Sequence, residues 1–470
     1  MVGITAYGAY IPLHRLSRRK FTEAFGEPAV AGEKAVANFD EDSVTMATAA
    51  GMDCLKGMDR RKIGAVYFAT TCAPYREKQA ATIIAAALDL GENIRTADFT
   101  DSLRAGAAAL AAAADAVKNG TENVLVCTAD CRLGAPQGSF EQLSGDGAAA
   151  FIVGGSNVVA SLEDRVSVAR EFTGSWRTAR DSFVRSWEER FVIGAGYHEM
   201  VREAGRKILL KGDLTPADFT KIVLTGPGVR HQMNAAKALG FSKAQIQDDL
   251  SATVGNTGTA HGPMMLVAAL EEATPGDRLL VLDWGEGSDA HVFVVTEGIG
   301  ALPGYRGIRG HLEPKENTIN YQTYLKWRGL LPVEAARRPE RKRPSVPALW
   351  RGGKKNLALY GSKCQACGTP QYPPQRVCVH CGCKDEMTGY RFIDKKASVT
   401  AFTIDYLTAS QNSPTVFAVL DFEGGGRMIC ELTDANPANV HITMEVEPTF
   451  RRLYEAGGIY NYAWKFRPAR

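Results

Sequence analysis

The run Gly145-Asp-Gly-Ala-Ala-Ala-Phe-Ile-Val-Gly154 carries the first clue to architecture. A Gly/Asp turn leads straight into small and β-branched residues with no polar interruption, the pattern of a strand covered on both faces. Upstream stands another apolar run, Val124-Leu-Val-Cys127, and the pair recurs later in the chain. There Leu279-Leu-Val-Leu282 runs through Asp283-Trp-Gly-Glu-Gly-Ser-Asp-Ala290 into His291-Val-Phe-Val-Val295. In both places a strand meets a Gly/Asp turn and a second strand follows, a weak internal echo between the two halves. Further strands are expected at Ala65-Val-Tyr-Phe-Ala-Thr70, at Lys221-Ile-Val-Leu-Thr225 and at the opening, Met1 to Tyr10. Between them, Arg104 to Lys118 is almost entirely Ala and Gly in its first half. Alanine favours helix, and side chains this small suit close burial between layers rather than a half-exposed face. The fold class is therefore α/β, with strands and helices stacked in layers.

At 470 residues the chain exceeds a single core and implies two or three domains. Its 55 Lys plus Arg nearly balance 52 Asp plus Glu, and the resulting +3 provides no global field for nucleic acid. No uncharged apolar run approaches the ~20 residues that cross a bilayer, and the opening lacks a basic segment followed by an apolar one. Neither a membrane nor a nucleic acid is expected as partner. Of ten cysteines, four fall in paired C-x-x-C units. A metal in a reducing compartment explains them better than disulfides, and the cytoplasm is the expected location.

Those units are Cys364-Gln-Ala-Cys367 and Cys378-Val-His-Cys381. Each aims two thiolates at one ion, and together they close a tetrahedral shell without an open position, so the expected Zn2+ is structural. His380 and Cys383 stay outside the set. Past them, Ala397 to Ile404, Pro414 to Phe422, Gly424 to Cys430 and Met444 to Phe450 suggest about five strands of an OB-type barrel. The expected division is 1–300 for the layered core, 301–355 for a linker, 356–388 for the zinc ribbon and 389–470 for the barrel. Within the linker, Asn317 to Gly329 reads as a short amphipathic helix, and the Pro-punctuated basic run from Arg337 to Pro347 as a solvated connector.

Glu33 to Ala47, Gly145-Asp-Gly-Ala-Ala-Ala150 and Gly255-Asn-Thr-Gly258 resemble the hydroxymethylglutaryl-CoA synthase branch of the thiolase superfamily, over residues 1 to about 300. Residues 350–470 resemble the family that joins a rubredoxin-like zinc ribbon to an OB-fold and accompanies thiolase-like enzymes. The resemblance implies a duplicated αβαβα fold, a homodimeric core and a coenzyme A thioester as substrate. It also locates three catalytic positions, and all three are altered. The cysteine nucleophile falls on Leu103, with Ser102 beside it; the histidine falls on Thr225; the glutamate falls on Thr71, followed by Cys72. What remains is Asn256, matching an asparagine that holds a thioester oxygen in related ketoacyl synthases, and His261 at the start of the next helix.

His261 is the candidate acid/base, because a helix start in a thioester pocket favours a neutral imidazole. Ser102 is a candidate nucleophile or oxyanion donor, and Asn256 completes the catalytic set. Cys72 reads first as a small buried hydrophobe and His231 as a loop histidine. Without the cysteine, an aldol or retro-aldol step on a hydroxyacyl-CoA fits, since it needs an oxyanion site and a proton shuttle but no acyl-enzyme. A Claisen-condensing synthase and a non-catalytic acyl-CoA-binding scaffold are the alternatives.

Overall fold

The computed structural model describes residues 1–470 apart from Thr318, Ala335, Ala336, Arg338 and Glu340. Two sequence expectations, the helix over Asn317–Gly329 and the basic run after Arg337, fall partly on residues outside that description. Two compact units are present. The first comprises Met1–Ala37, Asp42–Thr82 and Gly91–Tyr321; the second comprises Asn38–Glu41, Ile83–Leu90 and Gln322–Arg470.

In the first unit a mixed nine-stranded sheet runs Lys221–Leu224, Arg278–Gly285, Gly287–Val295, Ala160–Ala169, Gly3–Tyr10, Gly147–Gly154, Asn123–Asp130, Ile63–Ala69, Arg95–Phe99. It consists of two halves joined where Gly3 and Ile4 pair with Ser161 and Ala160. In one half Gly3–Tyr10 lies antiparallel to Gly147–Gly154, which is antiparallel to Asn123–Asp130, which is parallel to Ile63–Ala69. The other half repeats this sense with Ala160–Ala169, Gly287–Val295, Arg278–Gly285 and Lys221–Leu224. The echo read in the sequence is thus a duplication of the fold. One half adds an edge strand, Arg95–Phe99, which is polar and lacks the apolar run that marks its neighbours.

Helices complete the αβαβα layers. Ser43–Cys54 covers the outer face of the first half, started by Asp42, whose side chain accepts from Thr45 N at 3.0 Å. Ala105–Lys118 and His261–Glu272 pack against each other and against the strands in the middle layer, and Glu199–Lys211 covers the outer face of the second half. Alternation explains why the strands are apolar throughout. Leu279 and Val281 face the central core with Met264 and Val267, whereas Leu280 and Leu282 face the outer core with Val201 and Ile208. The small residues of Ala105–Lys118 have a matching reason. A Cβ on Gly106 would stand 2.8 Å from Thr259 O and 3.0 Å from Pro263 Cγ.

The second unit contains a three-stranded sheet, Pro370–Gln371, Tyr360–Cys364 and Met387–Arg391, and a closed five-stranded barrel. The barrel strands are Ala397–Asp405, Thr415–Phe422, Arg427–Leu432, Glu445–Ala456 and Ile459–Pro468. The sequence reading picked out the first three and the start of the fourth. Ile459–Pro468 escaped it because Lys465 and Arg467 break the apolar pattern, yet both are buried. Lys465 Nζ lies 2.9 Å from Asp40 and 2.7 Å from Glu431. Arg451 lies 3.2 Å from Asp40, 2.6 Å from Glu41 and 2.7 Å from Asp434. Charges this deep persist only when paired.

Candidate active site and zinc centre

The site is organised by Asp130, a fully buried carboxylate closing the Asn123–Asp130 strand. It accepts from Thr70 Oγ1 at 2.9 Å, Thr71 N at 2.7 Å, Thr71 Oγ1 at 2.9 Å and Thr259 N at 2.9 Å. Thr259 Oγ1 in turn donates to Ser102 O at 3.2 Å. Two separate loops are thereby fastened to one carboxylate, and the loop that holds Ser102 is tied to it through Thr259. Beside Thr71, Arg177 donates to Thr71 O at 2.6 Å and stands 3.7 Å from Cys72 Sγ. A hydrogen bond from Cys131 draws the Cys72 thiol below its ordinary pKa against the effect of burial, and Arg177 adds to the lowering.

Leu103, where the resemblance places the cysteine, is half-buried and offers no nucleophile. Ser102 Oγ instead donates to Glu286 Oε2 at 2.6 Å. The pair lines a cleft of about 800 Å³ with Phe99, Arg104, Ala108 and His291. Arg104 Nη1 is neutralised by Asp289 at 3.0 Å, and Ser167 donates to the same carboxylate.

Asn256 Oδ1 accepts from Gly258 N at 2.9 Å, and among the described residues its Nδ2 has no acceptor. A side-chain amide donor is thus free for an oxygen ligand. His261 begins its helix as expected, buried, with Nδ1 3.4 Å from Thr257 N. Burial pulls its pKa down to about 4, against the charge of Asp249, so the ring is neutral at physiological pH. Among the described residues no hydrogen bond joins Ser102, Asn256 and His261 to one another. Thr225 accepts from Trp284 N at 2.9 Å. Beside it Asp283 is buried; burial and then the charge of Asp289 push its pKa up to about 7, against the hydrogen bond of Thr225. A Cβ on Gly262 would meet Asp283 Oδ1 at 2.0 Å, so the glycine is what admits the carboxyl. His231 contacts the His198 ring at 5.7 Å.

Asp130, Asp283 and Glu286 were not singled out by the sequence reading. A signal existed: Asp130 and Asp283 each close an apolar run, and ligands in α/β proteins gather at the carboxyl ends of strands.

In the second unit, Sγ atoms of Cys364, Cys367, Cys378 and Cys381 lie within 4.8 Å of one another. The 3.7 Å between Cys364 and Cys381 and the 3.5 Å between Cys367 and Cys378 approach the about 3.8 Å edge of a tetrahedron with ~2.3 Å zinc–sulfur bonds. The donors fit zinc.

Layering, duplication and the ribbon-plus-barrel module define a thiolase-type protein with an appended zinc-binding module. Residues 351–384 match the ChsH2 rubredoxin-like zinc ribbon domain family, and residues 390–451 match the ChsH2 C-terminal OB-fold domain family. The hydroxymethylglutaryl-CoA synthase of Methanopyrus kandleri is 33% identical over 311 residues, covering 63% of this chain and 89% of that protein. That of Methanocella arvoryzae is 31% identical over 340 residues, covering 70% and 98%. The chain belongs to the hydroxymethylglutaryl-CoA synthase family. Its fold is similar to that of an HMG-CoA synthase solved with CoA, with TM-score 0.64 and 18% identity over 69% of this chain and 89% of that one. It is also similar to that of the Thermus thermophilus β-ketoacyl-[acyl carrier protein] synthase III, with TM-score 0.58 and 22% identity over 63% and 99%. Among the described residues no helix is long and apolar enough to cross a membrane.

Proposed function

We propose that this chain is an enzyme that makes or breaks a carbon–carbon bond next to an acyl-CoA thioester, with aldol or retro-aldol character. The observation that carries the reading is Leu103 at the nucleophile position, flanked by a serine hydroxyl held by a carboxylate rather than by a thiol. Thiolate attack is lost there, whereas proton transfer and oxyanion stabilisation need only groups of the kinds present: Asn256 for the thioester oxygen, and His261 or an acidic side chain for the proton. Coenzyme A thioesters are the substrate class of the synthases it resembles. Zinc held by the four cysteines would stabilise the ribbon and take no part in the chemistry.

The core is proposed to act as a homodimer. Among the described residues Arg95–Phe99 has a strand neighbour on one side alone, with Gln79 Nε2 donating to Thr96 O at 2.9 Å, and a symmetric pairing of two copies would extend the sheet across this edge.

Incubation with a panel of acyl-CoA and 3-hydroxyacyl-CoA thioesters tests the reading. Release of an aldehyde or ketone without free CoA supports it. Free CoA formed with a covalent acyl-protein marks a Claisen-type enzyme. Binding without turnover of any member marks a scaffold. The Claisen reading has one observation in its favour, the Arg177 guanidinium 3.7 Å from Cys72 Sγ, where a thiol could serve as a nucleophile displaced from the usual position.

A further inference from the structure

We propose that Ser102 and Glu286 form a hydroxyl–carboxylate proton relay, with Glu286 as the terminal acid/base for a 3-hydroxyacyl thioester in the cleft. The inference rests on the acyl-CoA reading above and assigns the proton path within it.

Three observations converge. Ser102 Oγ commits its only proton to Glu286 Oε2 at 2.6 Å, a short contact characteristic of a hydroxyl bound to an ionised carboxylate. Arg104 N approaches Ser102 Oγ at 3.4 Å, which leaves that hydroxyl oxygen the capacity to accept one further hydrogen bond. Both side chains are half-buried and line the cleft, so an incoming hydroxyl meets the serine oxygen at the cavity wall. The surroundings leave the pair free to act. Arg104 is held by Asp289 and Arg165 by Asp115, and His291, also in the cleft wall, is kept neutral because burial draws its pKa to about 4. Arg132 contributes a positive charge toward Glu286 and Asp130. Ser102 O is anchored by Thr259, which fixes the loop that presents the hydroxyl.

In the cleavage direction the substrate's β-hydroxyl gives its proton to Ser102 Oγ as Ser102 gives its own to Glu286. The Cα–Cβ bond breaks, the β-carbon and its oxygen become a carbonyl, and the electron pair moves into the thioester as an enolate. Protonation of the enolate at Cα by the relay in reverse restores Glu286 to carboxylate. The products are a shorter acyl-CoA and an aldehyde or ketone; no oxidant or reductant is required.

The experiment measures turnover of a 3-hydroxyacyl-CoA panel, its pH profile and its solvent isotope effect for the full-length wild type, Glu286→Gln, Glu286→Asp and Ser102→Ala. Calorimetric binding of acetyl-CoA by each protein runs alongside. The expected result is a loss of kcat on the order of 10² or more in Glu286→Gln and Ser102→Ala, with acetyl-CoA still bound. Glu286→Asp should recover part of the rate, and the wild-type fall in kcat on acidification should vanish in Glu286→Gln. A multi-proton isotope effect should disappear in Ser102→Ala. Should Glu286→Gln fail to fold, the Asp variant carries the test through its pH profile. Turnover in Glu286→Gln within twofold of wild type overturns the relay and leaves the acyl-CoA reading standing. A wild type that neither binds acetyl-CoA nor turns over any member of the panel overturns both.

Discussion

At the scale of single residues, the informative feature is that acidic groups stand beside the positions where the resemblance places the catalytic ones. With Leu103, Thr225 and Thr71 at the three family positions, incubation with acetyl-CoA or acetoacetyl-CoA should leave the intact mass of the protein unchanged. A stable acyl mass mapped to Ser102 or Cys72 would instead show that the nucleophile has moved. His261→Ala and Asn256→Ala should each lower turnover by a factor on the order of 10² or more, and Cys72→Ala should leave it nearly intact. Asp283 makes a separate, thermodynamic prediction. Its pKa of about 7 in the folded chain stands above its ordinary value of 3.8, so the folded state binds that proton more tightly than the unfolded one. The stability it contributes is complete below about pH 4 and is lost as pH rises through 7, by on the order of 4 kcal/mol. Melting temperatures of wild type and Asp283→Asn should therefore draw apart in the variant's favour between pH 4 and 7 and run parallel above. Parallel curves throughout would mean that Asp283 is ionised in the folded protein.

At the scale of elements, the zinc ribbon and the alanine-rich helix answer different questions. Four thiolates brought within 4.8 Å repel one another unless a cation neutralises them, so the ribbon is expected to hold about one zinc per chain. Elemental analysis of gently purified protein checks this, and a metal-free preparation would contradict it. Cys364→Ser or Cys378→Ser should expose the ribbon and barrel to limited proteolysis before the layered core. In the alanine-rich helix, composition anticipated burial but not the open side. Ala108, Ala111 and Ala112 line the cleft that holds Ser102, so small side chains there keep space as well as closeness.

At the scale of the whole molecule, the proposed homodimer makes a prediction about mass. Light scattering at micromolar concentration should give twice the chain mass, and a monomer there would count against the dimer. Long-range pairing also shapes the second unit. Asp40 and Glu41 group with residues more than 390 positions away, and their carboxylates neutralise Arg451 and Lys465.

By itself the sequence determined the layered class and the zinc ligands, because periodicity and paired cysteine spacing are local properties of the chain; the duplication and the changed catalytic positions were legible only through the resemblance to a family. Tertiary structure alone decided the rest. Asp130, Glu286 and Asp283 look like ordinary strand-end acids until the sheet brings Thr71, Ser102 and Thr225 against them from other parts of the chain. Lys465 and Arg467 interrupt the apolar pattern of their strand, and only the folded chain brings Asp40, Glu431 and Glu447 to pair with them. A buried charge or a proton path is a property of distances between residues remote in sequence, and desolvation sets its energy only after the chain has closed around it.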